Sequence, residues 1–199
     1  TFVENCRTCS KCKNRPLPKA EMQIDNAVPA PRARLSMDVA SMPMSPRGFN
    51  CFLMMVDSNT KLHAVCCCVD QKAPTLERGL WTNWFQYFGI PVELISDQGS
   101  NVDGVIIREL CKKLGIKKLR SSPYHPAGNG TSERTIGAIK TLVRSMLDSR
   151  KMPVWDWDLV IHEAVLASNN TLNKSMGFSP YQCTFGEHSR LPIDNFTEV

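Results

Sequence analysis

Residues 121–147 read SSPYHPAGNGTSERTIGAIKTLVRSML, and this stretch decides how the rest of the chain is arranged. Two prolines and two glycines lie within Ser121–Gly130, so the first part is a loop. A long amphipathic helix follows. At 100° per residue from Glu133, the residues Ile136, Ile139, Leu142, Val143, Met146 and Leu147 occupy an arc from about 180° to 320°. That arc predicts a core-facing stripe. Gly137, Lys140 and Arg144 fall within about 40° of Glu133, along one edge of the stripe. The acid is therefore expected at the rim of the core with two cations beside it. A glutamate in a first helical turn ordinarily serves the helix dipole, so Glu133 gains meaning only from what lies upstream.

Upstream stand two more acids on rigid elements. With thirty-five residues between it and Glu133, Asp97 ends an apolar run, Val92 to Ile95, in the words SDQGSN. Earlier, RLSMDVA at 34–40 alternates, with Leu35, Met37 and Val39 on one face and Ser36, Asp38 and Ala40 on the other. That is a strand carrying Asp38. Three carboxylates on two strands and a helix suit hard divalent cations, which take oxygen ligands and keep waters for a phosphate. Two such ions can clamp the attacking and leaving oxygens of an in-line displacement. Asp57, Asp70 and Asp103 are rival acids. The first two end strands at turns and the third opens a helix, so each has an ordinary structural role.

Asp38, Asp97 and Glu133 at this spacing, with SDQGSN, SPYHPAGNGTSER and NNTLNKSMGFSPYQCTFGEHSRLP around and after them, resemble the integrases of retroviruses and LTR retrotransposons, most closely the gypsy type. The likeness runs from about residue 34 to 193. It implies an α/β chain with the ribonuclease-H-like fold, a mixed five-stranded sheet flanked by helices. It implies a catalytic triad of Asp38, Asp97 and Glu133 holding magnesium or manganese. The implied reaction is trimming of the 3′ ends of an element's DNA and their joining to target DNA by transesterification. Implied partners are both DNAs and further copies of the chain, as a dimer or tetramer. The implied compartment is the nucleus, after passage through the cytoplasm. On the same resemblance Asn129, Tyr124, His125, Lys140 and Arg144 are expected DNA contacts. Residue by residue, a turn asparagine, a packed turn and a solvated lysine are the ordinary alternatives. A host-captured integrase fold that only binds DNA or chromatin, and a related transposase, remain competing functions. Two positions depart from the family: Ala40-Ser41 stands where Gly-Pro commonly follows the first aspartate, and Ala127 where glutamine is frequent.

Composition bounds these readings. The chain has 199 residues, 42% hydrophobic, with a net charge of +5. That suffices for one large domain with a real core, and the modest basicity is compatible with nucleic acid. No run of about 18 apolar residues is present, so no membrane span is predicted. No signal-peptide pattern opens the chain, and the start at Thr1 suggests a fragment. Nine cysteines, three of them consecutive at Cys66, Cys67 and Cys68, argue for reduced thiols. Cys6 and Cys9 form half of a tetrahedral zinc site. The resemblance makes residues 1–13 the remnant of an amino-terminal zinc domain whose histidines lie upstream, so zinc is expected only in a complete domain. Residues 14–32, with Pro16, Pro18, Pro29 and Pro31, read as an extended linker. The core is expected over 33–199.

Within that core the pattern predicts strands at 35–40, 51–56, 62–69, 92–95 and 117–120. Helices are expected at 73–88, at 102–114, from just after Gly130 to 147–149, and at 155–169, with a short helix and tail over 178–193. Trp81, Trp84, Phe85 and Phe88 read as core rather than a stacking platform. Lys112, Lys113, Lys117, Lys118 and Arg120 read as a solvated face that adds backbone affinity for nucleic acid. Neither a carboxy-terminal DNA-binding barrel nor a chromodomain is evident.

Overall fold

The computed structural model describes residues 30–97, 104–120, 130–191 and 194. Five strands, β1 (Arg34–Ser41), β2 (Cys51–Asp57), β3 (His63–Cys68), β4 (Glu93–Ser96) and β5 (Lys117–Arg120), form one sheet in the order β3-β2-β1-β4-β5. β1, β2 and β3 run as an antiparallel meander, and β4 and β5 add in parallel to β1. The expected mixed five-stranded sheet is the one observed.

Helices cover both faces, and β2 shows why. Every one of its residues is buried. Cys51, Leu53 and Met55 face one core with Leu35 and Met37, while Phe52, Met54 and Val56 face another. The first core is closed by α1 (Ala73–Leu80) and α2 (Val105–Leu114). The second is closed by α3 (Gly130–Ser149) and α4 (Trp157–Asn170), which follows a 3₁₀ turn at Val154–Asp156. A final short helix, α5 (Pro180–Phe185), starts from a Ser179–Gln182 capping box. A strand buried on both faces has no need of polar alternation, which explains the continuously apolar CFLMMV.

The predicted stripe of α3 is the buried one. Ile139, Val143 and Leu147 are buried, and Ile136, Leu142 and Met146 pack against the same core. The stripe of α4 is covered by its own chain, through Trp157, Val160, Ile161, Ala164 and Val165. α2 starts at Val105 rather than 102 and stops where expected, at left-handed Gly115 with φ +70°.

Helix α1 brings one correction. It runs on through a π-helical segment, Trp81–Phe85, into a last turn, Gln86–Phe88. Trp84 and Phe85 are buried as expected, but Trp81 is 41% exposed, with an edge-on contact to Phe85. Trp81 is not part of the Leu76, Leu80, Trp84 and Phe88 row that the helix turns to the core.

Several polar groups have the structural roles expected of them. Asp57 accepts from the Thr60 amide and hydroxyl at 2.9 and 2.7 Å and so closes the β2–β3 turn. Asp70 accepts from the Lys72 amide and the Thr75 hydroxyl ahead of α1. Asp103 lies outside the described residues. At the amino-terminal ends of the parallel strands Arg34, Glu93 and Lys117 sit in one register row. Glu93 is shared by Arg34 at 2.6 Å and Lys117 at 3.4 Å, which pins that register. Cys51, Cys66, Cys67, Cys68, Cys111 and Cys183 are all free thiols. Among the described residues no helix is long and apolar enough to cross a membrane.

Candidate active site

The sheet register brings the first two acids together. Leu35 pairs with Leu94 and Ser36 with Ile95 in the parallel β1–β4 ladder. Two residues further along each chain stand Asp38 and Asp97. Neighbouring strands lie about 4.8 Å apart, and side chains two residues apart share a face. Both aspartates therefore share the face of Ser36 and Ile95, opposite the core that holds Leu35 and Leu94. That is the face covered by α3. Glu133 arrives there in the first turn of α3.

This is also where a site belongs topologically. The chain builds outward from β1 to β2 and β3 on one side, then crosses to β4 and β5 on the other. In open α/β sheets, ligands bind beyond the carboxyl ends of strands at such a switch point. Asp38 lies near the carboxyl end of β1, and Asp97 immediately follows β4.

Electrostatics shows that Asp38 feels both of the other acids. Burial raises the pKa of the half-buried Asp38 carboxyl, and the Val39 amide, donating to Oδ1 at 2.7 Å, opposes it. The charges of Asp97 and then Glu133 push it up further, against Lys140, and the net shift is upward. Three carboxylates converge, with Glu133 exposed and Asp97 half-buried. Among the described residues no three Asp, Glu, His or Cys side chains are drawn tightly enough to enclose a metal ion. Like charges this near one another repel, and a cation among them would offset that repulsion. The donor set is carboxylate oxygen only, which suits magnesium or manganese and not zinc.

Lys140 and Arg144 follow Glu133 along the same edge of α3. Lys140 donates to the Ser41 carbonyl at 3.2 Å, and Arg144 is exposed. Together they line a small cleft of about 160 Å³ with Met42, Pro43 and Trp157. The loop between β1 and β2 that forms one side of this cleft is clamped to α4. Trp157 Nε1 donates to the Pro43 carbonyl at 2.8 Å. Arg47 grips Asp158 with two hydrogen bonds and reaches Asp156 at 2.8 Å. Asn129, Tyr124, His125, Cys6 and Cys9 lie outside the described residues.

Lys118 departs from the solvated face expected of the basic run. It is half-buried on β5, and its Nζ donates to Ser96 Oγ, next to Asp97. Lys112 and Lys113 are exposed, and Lys117 pairs with Glu93. The parallel β4–β5 register places Lys118 opposite Leu94, so its long side chain runs along the strand to the acid end of the sheet. Only the strand pairing, not the run of lysines, could have revealed this.

Comparison with known proteins agrees with the fold. A family model described as the integrase core domain matches residues 28–126. The Pro-Pol polyprotein of Simian foamy virus type 1 is 32% identical over 155 residues, covering 77% of this chain and 13% of the relative. The retrovirus-related Pol polyprotein from transposon 412 of Drosophila melanogaster is 26% identical over 154 residues, 77% of this chain and 12% of the relative. The chain thus spans about an eighth of the length of these relatives. Among solved structures, the catalytic core domain of BIV integrase superposes with a TM-score of 0.62 at 21% identity, covering 78% of this chain and 95% of that one. The HTLV-2 integrase catalytic core in complex with magnesium gives 0.61 at 22%, covering 77% and 97%. The described sheet and its flanking helices are therefore the ribonuclease-H-like fold of integrase catalytic cores, and the chain belongs to the integrase family of retroviruses and LTR retrotransposons.

Proposed function

We propose that this chain is the catalytic core of a gypsy-type integrase, which trims element DNA at its 3′ ends and joins those ends to target DNA. The observation that carries the reading is the convergence of Asp38, Asp97 and Glu133 at the carboxyl ends of β1 and β4, close enough that the other two charges act on Asp38.

Asp38 on β1 and Asp97 immediately after β4 would share one divalent cation. Glu133, on the exposed first turn of α3, would complete the site for a second. Such ions, when bound, favour the hydroxyl nucleophile and stabilise the leaving oxygen. The chain's own work is positional. Strand β1 carries Asp38, the end of β4 leads into Asp97, and the apolar stripe of α3 holds Glu133 at the core's edge. Lys140 and Arg144 would take the phosphates flanking the scissile bond, and their cleft beside Trp157 would receive the strand end. Asn129, Tyr124 and His125 in the preceding loop are proposed as further DNA contacts. A transesterification of this kind needs no covalent link to the protein, because positioning and charge neutralisation carry it. Action as a dimer or tetramer in the nucleus, with Cys6 and Cys9 completing a zinc site in a longer chain, belongs to the same proposal.

The open spacing of the acids gives one competing reading some support: a captured integrase fold that binds DNA without cutting it. Incubation of the chain with a preassembled branched DNA in magnesium separates the two. The integrase reading expects divalent-dependent rejoining of the branch. Binding without rejoining under magnesium or manganese would leave the binding module.

A further inference from the structure

Lys118 belongs to a run of basic residues, yet its ammonium is turned inward. β5 lies parallel to β4, with Lys118 opposite Leu94 and Arg120 opposite Ser96. From there the lysine stem runs along the strand direction, and Nζ donates to Ser96 Oγ and, at 3.4 Å, to the Leu119 carbonyl. Burial pushes the Cys111 thiol up, and the Lys118 charge acts against that. Cys111 belongs to α2 and to the core that also holds Leu94. The lysine therefore approaches β4 from the α2 side of the sheet, opposite the side on which Asp38 feels Glu133.

Ser96 is the next link. It is the last paired residue of β4 and has no exposed surface. A serine hydroxyl accepts and has one proton to give. This one accepts from the lysine and donates to the Asp97 carbonyl at 2.9 Å. Asp97 is the first residue past the strand. Asp38, by contrast, sits within β1, paired with Met54. The Ser96 hydroxyl thus holds the Asp97 main chain where the ladder has ended. Drawing an ammonium partly out of water has a cost that hydrogen-bond partners must offset, and a charged donor makes the stronger bond to the hydroxyl.

We infer that Lys118 is a positioning residue for Asp97, acting through Ser96: the relay from Lys118 Nζ to Ser96 Oγ to the Asp97 carbonyl fixes the backbone from which the second aspartate reaches its cation. This role rests on the proposed cation site of Asp38, Asp97 and Glu133, and it explains what holds one of the ligands in place. It differs from that of Lys140, whose charge acts on Asp38 directly.

Charge and positioning have opposite signs here. A lysine near a divalent ion repels it, so deleting the charge alone tightens binding. Deleting a contact that orients a ligand weakens binding, and partners outside the ligands typically change metal affinity by about 10- to 100-fold.

The test is manganese binding to the full chain, read by electron paramagnetic resonance of the free ion, with thermal melts on the same samples. Wild type is compared with Asp97→Asn, Lys118→Met, Ser96→Ala and the double variant Lys118→Met with Ser96→Ala. Wild type is expected to bind and Asp97→Asn to lose the ion. Lys118→Met and Ser96→Ala are each expected to weaken manganese at least about fivefold. The double variant should be within about twofold of the weaker-binding single one, because both changes cut one relay. Ser96→Ala leaves the lysine charge in place and removes a single oxygen, so it carries the test if Lys118→Met does not fold. Unchanged or tighter binding in either single variant, whatever the melts show, overturns the relay and leaves the cation site standing. Single effects that multiply in the double variant overturn it too. Wild type that binds no manganese, or Asp97→Asn that binds as well as wild type, overturns the cation site itself and the relay with it.

Discussion

Lys140 donates to the Ser41 carbonyl across 3.2 Å, tying the helix that carries Glu133 to the end of the strand that carries Asp38. The cation therefore has a structural partner and a place beside the acids at once. If it also takes a DNA phosphate, Lys140→Ala should weaken DNA binding and lower the slope of log affinity against log salt by about one. Binding isotherms across a salt series check this. A merely structural Lys140 would leave the slope unchanged.

Glu133 separates catalysis from folding. It is exposed, in the first turn of a helix whose stripe is buried elsewhere. Glu133→Gln keeps size and shape, so stability should change by no more than about 1 kcal/mol, the worth of a dipole partner. Loss of a metal ligand should instead slow branch rejoining at least about a hundredfold, since about 1.4 kcal/mol is a factor of ten and an ion supplies several. DNA affinity should hold or rise slightly. Thermal melts, rejoining rates and DNA isotherms on one preparation would show this pattern, and equal activity would assign Glu133 to the helix dipole alone.

Much of this architecture was legible because it rests on local periodicity. The alternation at 34–40 named the face of Asp38, and the stripe from Ile136 to Leu147 named the edge on which Glu133 stands. What escaped depends on packing and on contacts between distant segments. Trp81 stands among core aromatics in the sequence, and only the packed helix shows it 41% exposed. Lys118 belongs to a run of basic residues that reads as solvated until β5 is laid beside β4. His63 and Arg134 are 71 positions apart and share a cleft only once β3 and α3 are packed. Arg47 and Asp158 had no signal at all.

The Arg47–Asp158 pair carries a pH signature. Arg47 hydrogen bonds hold the Asp158 carboxyl below the usual carboxylate range, against the cost of its burial. A depressed acid contributes stability that is fully present above its unfolded pKa, near 4, and lost as pH falls through its lower folded value. Wild type and Asp158→Asn should therefore differ most at neutral pH and converge in strong acid. Hydrogen bonds to a charged partner are worth about 1.5–3 kcal/mol, and a neutral-pH difference of that order is expected in denaturant melts. A difference that persists unchanged down to pH 2 would exclude the ionic origin.

The central claim is that Asp38, Asp97 and Glu133 form one divalent-cation site, and the most direct measurement is anomalous diffraction from crystals soaked in manganese. It needs neither DNA nor any other part of a longer protein. The account predicts an ion bound by carboxylate oxygens of both Asp38 and Asp97, at about the 2.1 Å typical of magnesium–oxygen bonds, and its loss in Asp97→Asn. A saturating soak that leaves these acids without an anomalous peak, or places manganese only elsewhere on the chain, would contradict it.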